Sequence, residues 1–119
     1  MPVETTRIEA GIYHNMWQEA VTIEELLQAK TLIETLIAED SLDECVVIIC
    51  GEQTTKFPTD LRGLRSTVPD AVIYGFVYGI PRLGGLILNM FKPFSQVPFE
   101  LVHSKEDAIA LAQAKLQSE

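Results

Sequence analysis

Two histidines, two cysteines and small sets of threonines and arginines are the residues of this 119-residue chain with types suited to chemistry. His14 and His103 fall in separate strand-like runs with no HxxxH or CxxC companion, so the sequence spells out no metal-ligand set. Each reads as a partly buried structural histidine. Cys45 and Cys50 bracket the run CVVIIC. That separation places their side chains on opposite faces of a strand, which keeps them from bridging and makes them inert core thiols. No Ser or Cys sits on a GxSxG-type turn with a histidine to activate it. No catalytic residue, metal or cofactor is therefore expected, and the chain reads as a binding module.

Three further stretches bear on binding. The turn GIPRLGG matches neither the Walker pattern nor GxGxxG, and Pro81 removes one amide donor that a phosphate cradle would use. Arg82, at an expected helix start, is an anion candidate all the same; the plainer reading is an exposed arginine flanking a core helix. GEQTTKF, from Gly51 to Phe57, is expected to be the loop at the carboxyl end of a strand, where ligands of open α/β sheets commonly sit. Arg62, Arg65, Arg82 and Lys92 make a small basic set, for which solvated surface charge is the simpler account.

The elements that must position these residues can be read from hydrophobic spacing. Ala71 to Ile80 (AVIYGFVYGI) is rich in Val, Ile, Tyr and Phe beyond the needs of an edge strand, and it is expected to be central with both faces buried. Its odd positions Ala71, Gly75 and Gly79 are small, and glycine there predicts close approach by another element, a helix over Gly75. Val3 to Glu9 and Ile12 to Gln18 read as two strands paired through Gly11. Thr22 and Glu25 form a capping box that opens a helix ending near Asp40. Its sheet-facing stripe would be Leu26, Ala29, Leu32, Ile33, Leu36 and Ile37.

Cys45 to Cys50 is the third strand. Phe57, Leu61, Leu64 and Val68 recur at helical spacing, which predicts a short helix from Pro58 to Val68. The stretch Arg82 to Phe94 predicts another helix. At 100° per residue Leu83, Leu86, Ile87, Met90 and Phe94 share one face, while Phe91 and Leu88 fall outside it, at about 80° and 140°. This surplus is the feature that simple burial against one sheet does not absorb. Leu86, Leu88, Met90, Phe91, Phe94 and Phe57 are accordingly the candidate binding residues, for an apolar small molecule, a membrane surface or a protein partner. Burial under the last helix or the Gln96 to Pro98 loop is the competing account. Phe99 to His103 is the last strand, and Ser104 and Asp107 cap a final helix.

The order β-β-α-β-α-β-α-β-α predicts an α/β fold: one domain over residues 1–119, with a mixed, mostly parallel sheet of about five strands and about four helices. No apolar run approaches the roughly 18 residues of a membrane span, and residues 1–11 do not look like a secretory signal. A bacterial-type cytoplasmic location is the default. The net charge of −8 is uneven: residues 1–52 hold eleven acidic and two basic side chains. Such a balance argues against nucleic acid as a partner.

The segments IYHNMWQEAVTIEELLQA, CVVIICG, AVIYGFVYGI and FELVHSKEDAIALAQAKL together resemble the SpoIIAA-like, or STAS-like, family over nearly the whole chain. The Phe99 to Ala108 ending, strand then Ser, acidic pair and Ala, is its most recognisable part. The resemblance implies a mixed sheet with an antiparallel first strand, helices packed on it, frequent homodimers and no catalytic activity. STAS regulators that antagonise anti-sigma factors carry a phosphorylatable Ser in a DSSG-like loop. At the matching place this chain has GEQTTKF, without Ser, so only Thr54 or Thr55 offers a hydroxyl and the pattern is broken. The resemblance also implies a mobile apolar helix that gates a nonpolar cavity or touches membrane, which Leu86 to Phe94 would match.

Overall fold

The computed structural model describes residues 3–56, 61–80 and 97–117, the side chains of Thr55, Lys56 and Leu61 excepted. Strands β1 (Val3–Glu9), β2 (Ile12–Ala20), β3 (Cys45–Lys56), β4 (Val72–Tyr78) and β5 (Phe99–Leu101) form one sheet in the order β1-β2-β3-β4-β5. β1 and β2 are antiparallel, joined at Gly11, whose φ of +90° is a conformation that side chains disfavour. The β2–β3, β3–β4 and β4–β5 ladders are parallel. Helix α1 (Ile23–Glu39) and the short α2 (Leu61–Ser66) pack on one face, and α3 (Lys105–Gln117) on the other. The helix expected over residues 82–94 lies outside the described residues. Among those that are described, no helix is long and apolar enough to cross a membrane.

Local signals account for most element ends. Glu25 N donates to Thr22 Oγ1 at 3.3 Å and Thr22 N donates to Glu25 Oε1 at 3.2 Å, so both halves of the expected capping box are formed. Ser104 Oγ likewise accepts from Asp107 N at 3.1 Å at the start of α3. The α1 stripe that is buried consists of Leu26, Ala29, Ile33 and Ile37. Leu32, placed on that stripe by its spacing, is instead 47% exposed. It sits roughly 100° around the helix from the centre of the buried residues, beyond the sector one sheet face covers.

The sheet corrects four other expectations. β3, not β4, occupies the middle of the five strands; β4 lies between β3 and the three-residue edge strand β5. β3 does not end at Cys50 but runs six residues further, because β2 continues beside it and offers it a partner through Ala20↔Lys56. Among the described residues the group close to Gly75 is not a helix: Phe99 is its register partner on β5, and the Phe99 ring occupies the space a Gly75 side chain would take. His103, read as partly buried, is exposed beyond the end of β5.

Cross-strand rows define the two faces. Tyr13, Val47, Gly75 and Phe99 are successive register partners on the α1 side. His14, Ile48 and Phe76 form the neighbouring row on the α3 side, followed by Met16, Cys50 and Tyr78. Alternation along each strand thus sends Cys45 into the core beneath α1 and Cys50 into the core beneath α3, and both thiols are free.

Candidate functional site

The extension of β2 and β3 past the body of the sheet is built from polar residues. β4 stops pairing at Cys50↔Tyr78, so beyond it Gln18–Ala20 and Gln53–Lys56 hold each other as a two-stranded ribbon. Its register slips twice, between Met16 and Gln18 and between Glu19 and Ala20. Glu19 has a φ of +53°, a left-handed conformation that costs a non-glycine residue about 1 kcal/mol or more. Strain of this kind persists only where surrounding structure enforces it, and it concentrates at binding and switching sites. Glu19, Glu52 and Gln53 are exposed. The Glu52 side chain lies against Gly79, at the carboxyl end of β4.

Thr54, pairing with Glu19, is only 5% exposed, and its Oγ1 has no hydrogen-bond partner among the described residues. It is a strand residue of the ribbon rather than a loop hydroxyl, so a kinase reaching it from solvent would need the ribbon to open. A buried orphan hydroxyl carries a desolvation cost of about 1–3 kcal/mol, which makes opening less costly there than in a fully satisfied strand.

Beneath the ribbon, a polar cluster bridges three strands. A 2.8 Å hydrogen bond joins His14 Nε2 to the Tyr78 hydroxyl, with Cys50 as a neighbour of the same hydroxyl. All three groups are buried. Burial, and then the charge of Lys105, holds the His14 pKa below the usual 6.5, so the imidazole is neutral at pH 7. Burial, with the contact to Cys50, pushes the Tyr78 hydroxyl well above its usual 10, so it stays protonated. Cys45, on the opposite face, is pushed up to about 12 by burial alone. None of these groups is a ready nucleophile or base; the cluster ties β2, β3 and β4 together below the ribbon.

At the other end of β2 the polar bonds reach the surface. The Tyr13 hydroxyl donates to Asp40 Oδ2 at 2.6 Å, and Arg7 Nε donates to the same oxygen at 3.1 Å. The Tyr13 bond, with Arg7 behind it, holds the Asp40 carboxyl below its usual range, while burial pushes Tyr13 up to about 12. This network anchors the end of α1 to the first hairpin.

Of the residues expected to bind, Thr54 is described and buried, and Thr55 belongs to β3. Arg82, Leu86, Leu88, Met90, Phe91, Phe94 and Phe57 lie outside the described residues. A cleft of about 40 Å³ between the sheet and α1, lined by Trp17, Leu26, Ile33, Val47 and Phe99, is far below the roughly 300 Å³ of a ligand pocket. The His14–Tyr78 pair escaped the sequence reading because its members are 64 positions apart; only the even-numbered position of each in its strand hints at a shared face.

No protein-family model and no curated protein sequence matches the chain. Solved structures do. An uncharacterised protein of the DUF3478 family with a SpoIIAA-like fold, from Shewanella loihica PV-4, aligns with a TM-score of 0.66 and 17% identity, covering 92% of this chain and 91% of the other. The unphosphorylated form of SpoIIAA, an anti-sigma factor antagonist, aligns with a TM-score of 0.62 and 10% identity, covering 94% and 96%. The chain therefore has a SpoIIAA-like, STAS-type α/β fold.

Proposed function

With a SpoIIAA-like fold as the premise, we propose that this chain is a single-domain, non-catalytic regulatory module of STAS type, cytoplasmic in location, that acts by binding a protein partner. The partner would read the β2–β3 ribbon, chiefly Glu19, Glu52 and Gln53. The observation that carries this reading is the ribbon itself: polar, exposed, strained at Glu19 and projecting beyond the last β4 partner. Support also comes from the likeness to SpoIIAA along almost the entire chain, since that protein antagonises an anti-sigma factor. A non-catalytic role accords with the enclosed His14 and with the Cys45 thiol held protonated.

Affinity capture from the source cell, with partners identified by mass spectrometry, tests the reading. The Glu52→Arg, Gln53→Arg double variant should lose the partner that the native chain retains. Glu34→Arg, on the exposed side of α1, should keep it. A partner held equally by the ribbon variant would overturn the assignment of the surface.

A further inference from the structure

The opposite end of the sheet carries a second feature. Where α2 ends and β4 begins, a cleft of about 440 Å³ is lined by Arg62, Arg65, Val68, Asp70, Val72 and Val97. This volume falls within the range of roughly 300–1,000 Å³ that small-molecule sites occupy. Arg62 and Arg65 stand three residues apart and therefore share one side of α2. Both are exposed, and neither makes an ion pair or side-chain hydrogen bond among the described residues; the ion pairs there are those of Arg7. Lys30, reaching across from α1, donates from Nζ to Ser66 O at 3.3 Å and brings a third cation to the same rim. Among the described residues that line the cleft Asp70 is the one carboxylate, set against Arg62 and Arg65 on a chain of net charge −8.

A general excess of negative charge repels anions, and surface arginines in such a chain ordinarily find one of its many carboxylates. Two arginines left with free planar donor forks match the geometry of a carboxylate or phosphate oxygen pair. The valines supply an apolar floor beside those donors. We infer that this cleft binds a small organic anion, a carboxylate or phosphate head on an apolar body, with Arg62 and Arg65 holding the head and Val68, Val72 and Val97 receiving the body. The site lies at the amino end of β4 and β5, away from the ribbon, so it stands or falls independently of the partner reading.

Phenyl phosphate, benzoate and inorganic phosphate are suitable probes for the full-length chain, titrated while backbone amide resonances are followed by NMR. Phenyl phosphate or benzoate should give saturable shifts at the amides of Ser66, Val68, Asp70, Val72 and Val97, and the tighter of the two identifies the head group. Arg62→Gln and Arg65→Gln should each weaken that binding about tenfold, the loss expected for one charge-assisted hydrogen bond. Arg7→Gln should leave it unchanged. The inference fails if neither organic probe saturates these amides, or if binding survives in the Arg62→Gln, Arg65→Gln double variant with its remaining resonances undisturbed. Inorganic phosphate binding as tightly as phenyl phosphate would overturn the apolar half of the assignment.

Discussion

The two faces of the sheet are covered by different means. Beneath α1, branched and aromatic side chains meet one another: Ile33 and Ile37 from the helix lie against Tyr13, Val47 and Val72, and the polar bonds of Tyr13 are made at the rim, where Asp40 and Arg7 meet solvent. Beneath α3 the helix contributes only Ala108 and Ala112 to the buried core, and the bulk comes from the sheet in Phe76, Tyr78, Ile12 and Ile48. The polar atoms there are enclosed, with His14 and Tyr78 bonded to each other and Cys50 beside them. One face is held by large apolar contacts and tolerates polar change at its edge. The other depends on close approach of a smooth helix to a sheet that keeps a polar cluster inside it.

That contrast can be broken from either side. The largest expected effect is Ile33→Ala, at about 3 kcal/mol, because it removes a large buried side chain and leaves a cavity under a helix that contacts the sheet through a few such residues. Chemical denaturation followed by circular dichroism measures it. On the other face the sensitive change is an enlargement: Ala112→Leu should cost about 2 kcal/mol by forcing α3 away from Phe76 and Tyr78. A cost below that of a surface substitution would show that α3 is loosely seated.

Tyr78→Phe should destabilise by about 1–2 kcal/mol, since it leaves the buried His14 Nε2 without its bond. The same cluster predicts a pH dependence. A histidine whose folded pKa is lowered binds its proton more readily when unfolded, so its contribution to stability is complete above about 6.5 and is lost as pH falls from there toward the folded value. Denaturation midpoints should therefore fall between pH 7 and pH 5, and His14→Gln should flatten that slope; an unaltered slope would place the titration elsewhere. The smallest effect is chemical: with its thiol pushed up to about 12, native Cys45 should resist iodoacetamide at pH 8, which intact-mass measurement reads directly.

Much of this architecture was legible in one dimension, for local reasons. Thr22 and Glu25 opened α1, Gly11 turned the first hairpin, and the strand-like runs gave an α/β mixed sheet of five strands. The failures were all of partnership. Gly51 to Lys56 looks like a loop because it lacks apolar alternation, yet β2 alongside it makes it a strand. Gly75 signalled close approach correctly, but the approaching group is Phe99, which only the β4–β5 register could identify. Leu32 matched a helical period and still faces solvent, because the width of the buried sector is set by the sheet beneath.

The candidate sites divide in the same way. Arg62 and Arg65 could be seen as a basic pair in the sequence, because helical spacing is a local property. That they border a cleft with Val97, more than thirty positions later, depends on β5 lying beside β4. What the sequence alone determined was the succession of elements and the alternation that divides Cys45 from Cys50 and Tyr13 from His14, since backbone geometry enforces a period of two within any strand. What the tertiary structure decided was which strand ran on, which hydroxyl was enclosed and which charges were left unpaired. Those outcomes depend on neighbours distant along the chain, and no local period encodes them.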